Sequence, residues 1–271
     1  MSASPDRWFS EWFNEDYHTL YAHRSSEEAR VVADLIADRV PLRGGLTLDL
    51  GCGAGRHLPY LSRQQPTVGL DLSPWLLGVA RERQSQAALT RADMRSLPFR
   101  DGAFTLVVSL FTSFGYFRDD AENAHVLAEV ARVTEPGGWF VLDFLNAGRT
   151  RRTLIPFERT RVGAHWVQQV RRITDDGRYV AKTITMEANG REFLERVRLF
   201  EPDELTAMLS NAGYDVRNVC GDYRGGVWTP ASPRAVVIAR RETAMSAMTS
   251  RTLAHRVASG RGRPDAARTA A

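Results

Sequence analysis

Asp49-Leu50-Gly51-Cys52-Gly53-Ala54-Gly55 places three glycines at alternate positions behind a short apolar stretch. Glycine lets a backbone turn tightly and approach a ligand closely. The free N–H groups of a helix that follows would face an anionic group. Asp71 stands 20 residues beyond Gly51, at the end of the next apolar stretch. That is where a carboxylate meets ribose hydroxyls in a doubly wound fold. A glycine turn alone is also an ordinary structural feature; the acid at this distance turns the pattern into a binding site. The spacing is G-x-G-x-G, not the G-x-G-x-x-G of dinucleotide enzymes. A second group, Phe111-Thr112-Ser113-Phe114-Gly115-Tyr116-Phe117, mixes aromatics and hydroxyls as a pocket wall does; its other reading is a packed loop.

These residues need elements to hold them. Strands are expected at Leu46–Leu50, Thr67–Leu72, Leu89–Ala92, Phe104–Leu110 and Trp139–Phe144, and helices at Arg56–Gln64, from Ser73 to about Ser85, and from Asp119 or Asp120 to Val133. Ser73 before Pro74 is a helix start. Alternation with continuously apolar strands argues for a parallel sheet covered on both faces. Upstream, Trp8, Phe9, Trp12, Phe13, Tyr17, Leu20 and Tyr21 recur at helical spacing, and Ser25 with Glu28 forms a capping-box pattern. That pattern opens a helix with Ala29, Val32, Ala33, Ile36 and Val40 as its stripe. Past Asn146 the rhythm changes. His165–Ile173, Tyr179–Ala188 and Phe193–Phe200 read as three antiparallel strands, with Asp176-Gly177 and Asn189-Gly190 as hairpin turns. A helix from Pro202 to Gly213 and strands at Asp215–Cys220 and Ala235–Ala239 follow.

Charge and composition narrow the function classes. The 271 residues carry 36 Lys+Arg and 32 Asp+Glu, a net charge of +4. Residues 243–271 hold five arginines and one acid, so residues 1–242 balance at 31 of each sign. A neutral body argues against nucleic acid, whose phosphates call for a basic patch. Lys182 is the sole lysine, a composition bias rather than a functional signal. No run of 18 apolar residues occurs, so no membrane-spanning helix is expected. No secretory leader is expected either. Cys52 and Cys220 form no disulfide framework, which fits a cytoplasmic chain. The six histidines lack metal-ligand spacing, so no metal site is expected. His57 reads as structural or near a ligand.

The motifs together carry a resemblance. Leu48–Gly55 resembles motif I of the class I S-adenosylmethionine-dependent methyltransferases. Gly69-Leu70-Asp71-Leu72-Ser73 resembles the motif that follows. Ala92-Asp93-Met94 resembles the adenine-binding motif, and Glu135-Pro136-Gly137-Gly138 the family's PGG turn. The order and spacing match over residues 46–145, and Trp8–Arg24 also resembles the helix that bacterial small-molecule members fold over their donor. The resemblance implies S-adenosyl-L-methionine as cofactor. Gly51, Gly53 and Gly55, with small Cys52 between, would cradle its methionine part, and Asp49 would lie near its amino group. Asp71, with Leu72 beside it, would hold the ribose. Asp93 would accept from the adenine amino group while Met94 packs on the ring. Ser109, Leu110 and Phe111 would line the sulfonium, and Tyr17 and Tyr21 would reach the donor from above. Thr105 departs from the family, where Asp often stands. The cytosine-C5 nucleophile (a Cys after Pro) and the Asn/Asp-Pro-Pro-Tyr motif are both absent.

The expected fold is α/β: a doubly wound seven-stranded Rossmann-like methyltransferase sheet with a small antiparallel β insertion. Residues 1–45 would form a helical cap, 46–148 the donor-binding core, 149–200 the insertion acting as acceptor lid, 201–241 the rest of the core, and 242–271 a disordered basic tail. The expected reaction is methyl transfer to a small-molecule acceptor at N or O, by a monomer or homodimer, with Tyr116 as a candidate general base. An RNA or protein methyltransferase, a non-catalytic donor-binding module and a nicotinamide oxidoreductase are the other readings open at this point.

Overall fold

The computed structural model describes residues 8–21, 26–84 and 86–243. The capping residue expected at Ser25 and nearly all of the basic tail lie outside these. Two short aromatic helices, α1 (Phe9–Trp12) and α2 (Glu15–Leu20), precede α3 (Ser26–Arg39). Next come β1 (Thr47–Leu50), α4 (Leu58–Leu61), β2 (Thr67–Asp71), α5 (Pro74–Arg83), β3 (Ala88–Arg91), β4 (Phe104–Ser109), α6 (Asp120–Val133) and β5 (Thr134–Leu145). Then α7 (Ala147–Thr153) leads to β6 (Phe157–Val162), β7 (His165–Ile173), β8 (Tyr179–Met186) and β9 (Arg191–Arg198), and the chain returns through α8 (Pro202–Asn211) to β10 (Tyr214–Cys220) and β11 (Arg234–Arg241).

Seven strands form one sheet in the order β10-β11-β5-β4-β1-β2-β3. β1 to β5 run parallel, and β11 is antiparallel to both of its neighbours, β5 and β10. The apolar central strands feed two cores by alternation. Leu106, Val108, Val141 and Ile238 face Val32 and Ile36 of α3. Val107, Phe140, Leu142 and Val237 face Val126, Leu127 and Val130 of α6 and Leu205 and Leu209 of α8. A strand buried on both sides has no polar face, which is why these segments read as unbroken apolar runs. The strand order reverses between β1's two neighbours, β2 and β4, so the crevice beyond their carboxyl ends is the natural ligand site.

The insertion has four antiparallel strands, β6-β7-β8-β9, not the three expected. The unread strand β6, Phe-Glu-Arg-Thr-Arg-Val, is mostly exposed and lacks the alternation that marks a strand. Helix α7 was also unread: its sequence is arginine-rich and Ala147 is its one buried residue. Asn146 caps it, accepting from the Arg149 N–H at 3.2 Å. Helix α4 is shorter than expected. Gln65 precedes Pro66, which disfavours a helical conformation there, and its amide nitrogen instead donates to Thr47 and Thr105 at 2.7 and 2.9 Å. Thr105 thus has a structural task. Strand β5 runs through the glycine turn, with Gly137 at φ 82° and a register shift against β4.

Arg198 ties the second sheet to the first. It is buried, and its guanidinium donates to Asp120 of α6 at 3.2 Å and to Glu204 of α8 at 2.7 Å. Strand β9 also receives α1: Trp12 Nε1 donates to Glu195 Oε1 at 2.5 Å.

Candidate active site

A pocket opens where the crevice is expected. Its floor is the β1–α4 turn, its sides are the loops after β2, β3 and β4, and its roof is α1 and α2. Of the residues proposed from sequence, Tyr17, Tyr21, Gly51, Cys52, Gly53, Asp71, Leu72, Asp93, Met94, Leu110, Phe111 and Tyr116 line it. Asp49, Gly55 and Ser109 do not; they lie beneath the surface.

The glycine turn is built as its composition requires. Gly51 sits at φ 76°, and a Cβ there would come within 2.8 Å of the Ser113 Cβ. Gly53 sits at φ 53°, with the nearest atom to an added Cβ at 3.9 Å, so this stretch of backbone is bare toward the pocket. Gly55 serves packing instead: a Cβ would meet Ala80 of α5 at 3.0 Å.

Asp71 closes the turn from β2. Its Oδ2 accepts from the Gly53 N–H and its Oδ1 from the Ser73 N–H, both at 2.8 Å. Burial raises its pKa, and these backbone donors oppose the rise. Asp49, one strand over, is buried with an Oδ2 that finds no hydrogen-bond partner among the described residues. Burial, and then the charge of Asp71, push its pKa up to about 7, with Arg56 pulling the other way. A buried oxygen without a donor is costly. An ammonium reaching the glycine turn would satisfy it, so these residues fit an amino-acid-bearing adenosyl ligand.

At the far side Asp93 is held by a residue not anticipated from sequence. The Arg95 side chain donates through Nε to Oδ1 at 3.1 Å and through Nη2 to Oδ2 at 2.7 Å. Its Nη1 bonds Glu122 of α6 at 2.6 Å, and the guanidinium lies 4.8 Å from the Phe117 ring centroid. Met94 stands beside Gly51.

Tyr17 packs edge-on to Phe13 at 4.8 Å and to Tyr21 at 4.9 Å. Tyr21 shows its ring to the pocket, but its hydroxyl donates to Glu195 at 3.1 Å and meets Lys182, which is paired with Glu195. The polar tip thus braces the roof while the ring stays at the pocket. Tyr116 packs against Trp8 and Phe13 at 5.1 and 5.7 Å. Phe114, expected in the same wall, is core, stacked on Phe200 at 5.7 Å.

Sequence reasoning also missed Arg56 and Arg83, which line the pocket. Arg56 directly follows the last motif glycine, and that position was a usable signal. Arg83 carries no local signal; it meets His18 across the chain at 3.3 Å. Burial, then Arg83, lowers the His18 pKa. Buried His57 has its pKa pushed down to about 3 by burial and then by Arg56. It is neutral, and too weak a base to be useful. Among the described residues no cluster of His, Cys, Asp and Glu could hold a metal ion, and no helix is long and apolar enough to cross a membrane.

A bare glycine turn, an acid ending the next strand and an orphaned carboxylate oxygen beneath the turn thus converge on one crevice, with groups suited to an adenosyl amino acid. Residues 47–138 match a family described as a methyltransferase domain. The chain is 39% identical over 132 residues to dTDP-3-amino-3,4,6-trideoxy-alpha-D-glucopyranose N,N-dimethyltransferase of Streptomyces venezuelae, covering 47% of this chain and 54% of that protein. It is 31% identical over 191 residues to dTDP-3-amino-3,6-dideoxy-alpha-D-glucopyranose N,N-dimethyltransferase of Streptomyces fradiae, covering 61% and 74%. Among solved structures it is similar to CalS10, a SAM-bound amino pentose methyltransferase from Micromonospora echinaspora involved in calicheamicin biosynthesis. There the TM-score is 0.61 at 28% identity, over 84% of this chain and 97% of that one. The chain belongs to the S-adenosylmethionine-dependent methyltransferases, enzymes whose cofactor is S-adenosyl-L-methionine.

Proposed function

We propose that the chain transfers a methyl group from S-adenosyl-L-methionine to the amino nitrogen of a small acceptor, an amino sugar carried on a nucleotide. The observation that carries the reading is the convergence of the bare glycine turn, Asp71 and Asp49 under a roof of aromatic residues. Support for the acceptor class comes from two relatives named for N,N-dimethylation of dTDP-linked amino sugars and from a third named as an amino pentose methyltransferase.

The bound sulfonium supplies an electrophilic methyl. The protein's part is to hold, orient and dry. In this reading Gly51, Gly53 and Asp49 hold the amino-acid end, Asp71 the ribose, and Asp93 with Met94 the adenine. Leu110 and Phe111 face the reacting centre, and Ser109 supports them from below. Phe9, Phe13 and Tyr17 close the roof, which excludes water and favours a compact acceptor over a polymer. An amine attacks only when unprotonated, and Tyr116, acting as its phenolate and becoming the neutral phenol, is the group proposed to take up its proton.

Residues 1–45 would act as cap, 46–148 with 201–241 as core, and 149–200 as acceptor lid. The chain would work in the cytoplasm as a monomer or homodimer, without nucleic acid. The test is incubation with methyl-labelled donor and amino-sugar nucleotides in parallel with total RNA. Label in the small molecules supports the reading. Label that enters only the RNA, and is lost on RNase treatment, overturns it.

A further inference from the structure

The turn that leaves β4 is held against its own backbone preference. Phe111 and Thr112 sit at φ 58° and 65°, and among the described residues they are the only non-glycines with positive φ. Such geometry persists where the surroundings over-determine it. Here the surroundings are a buried cluster on β5 and β11. Asp143 is fully buried. Its Oδ2 accepts from the Phe111 N–H at 2.8 Å, and its carbonyl accepts from the Thr112 N–H at 3.0 Å. Arg234 donates through Nε to Asp143 Oδ1 at 2.8 Å and through Nη2 to Thr112 Oγ1 at 2.9 Å. Tyr223 adds its hydroxyl to Asp143 Oδ2 at 2.6 Å. Each of these bonds either ends on the turn or fixes the carboxylate that does.

The other side of the turn is the pocket. Ser113 Oγ reaches the Gly51 carbonyl at 3.3 Å, and only the missing Cβ of Gly51 lets the two turns meet. The Phe111 ring faces the pocket between two guanidinium groups, Arg56 at 4.5 Å and Arg234 at 5.5 Å. Neither Asp143 nor Arg234 lines the pocket.

We propose that Asp143 and Arg234 are positioning residues for the donor: they clamp the Phe111–Ser113 turn against the glycine turn and so set the wall on which the adenosyl ligand rests. The proposal rests on reading the pocket as the donor site. Its rival is a buried ion pair that serves stability alone.

Calorimetric binding of S-adenosylhomocysteine separates the two without any acceptor. Thr112→Gly is the sharpest variant. Glycine takes this φ without strain, so the turn's conformation remains open to the variant, yet the hydroxyl that Arg234 grips is gone. Arg234→Lys keeps the charge and loses the planar fork. The clamp predicts that both weaken binding by about tenfold, and that Thr112→Ser recovers most of it. Tyr214→Phe is the control for destabilisation. It removes a buried bond to Thr134 of 2.8 Å at the opposite end of the sheet, and should lower the melting temperature with affinity unchanged. Affinities within twofold of the unaltered chain in both Thr112→Gly and Arg234→Lys would overturn the proposal and leave a stabilising pair. Should Arg234→Lys not fold, Thr112→Gly decides alone. No binding by the unaltered chain would overturn the donor-site reading, and the clamp with it.

Discussion

Asp49 illustrates how one buried atom links structure to a measurable proton. With its pKa near 7, about half of the carboxyls are protonated at pH 7. An ammonium that bonds Oδ2 favours the ionised form, so donor binding should release about half a proton at that pH. Calorimetry in buffers of different ionisation enthalpy measures this, and Asp49→Asn should abolish the buffer dependence. Equal heats in all buffers for the unaltered chain would contradict the assignment. Asp71→Ala should weaken donor binding by about 2–3 kcal/mol, because charge-assisted bonds to the ribose are lost; unchanged affinity in a folded variant would place the ribose elsewhere. His57 makes a stability prediction. Its folded pKa of about 3 lies below the 6.5 of the free side chain, so the unfolded chain takes up the proton first. Stability is therefore lost as pH falls from about 6.5 toward 3, by up to about 1.4 kcal/mol per pH unit. Asp49 acts with the opposite sign, since its raised folded pKa keeps the proton in the folded state. In urea denaturation the stability-versus-pH slope of His57→Gln should differ from that of the unaltered chain by up to about 1.4 kcal/mol per pH unit over this window, toward the sign set by Asp49, and identical slopes would refute the account.

At the scale of elements, Ser73 does two jobs. Its Oγ accepts from the Leu76 N–H at 3.1 Å, capping α5, and donates to the Phe13 carbonyl at 2.5 Å, pinning the roof to the core. Ser73→Ala should cost about 1–2 kcal/mol of stability in chemical denaturation; a loss near zero would mean that neither bond contributes. The cap was legible in the sequence because Ser-Pro at a helix start is a local signal. So were β1, β4 and α6, whose apolar periodicity reports burial directly. β6 and α7 were not, since an exposed edge strand and an arginine-rich helix carry little apolar pattern to read. The site divides the same way. The glycine turn and Asp71 are fixed by backbone geometry, which leaves a trace in residue type and spacing. Arg83 and the clamp on Thr112 arise from contacts such as Asp143 with Arg234, 91 positions apart, and no local pattern encodes those. Phe114 falls in the core rather than the pocket wall for a related reason: an aromatic beside a pocket and one in the core look alike until the packing is known.

At the scale of the whole molecule, the sheet's reversal at β1 places the site, and the second sheet braces its roof. Glu195 of β9 receives Trp12 and Tyr21 from the two aromatic helices, while Arg198 anchors the same strand to α6 and α8. The roof is thus held by the insertion as well as by the core. The measurement that tests this account most directly is the mass spectrum of a dTDP-linked amino sugar after incubation with the chain and S-adenosyl-L-methionine. The account predicts an acceptor that gains one or two methyl groups, with fragmentation placing them on the sugar nitrogen and one S-adenosylhomocysteine formed per methyl transferred. Donor binding without any methyl gain across a panel of amino sugars would contradict it.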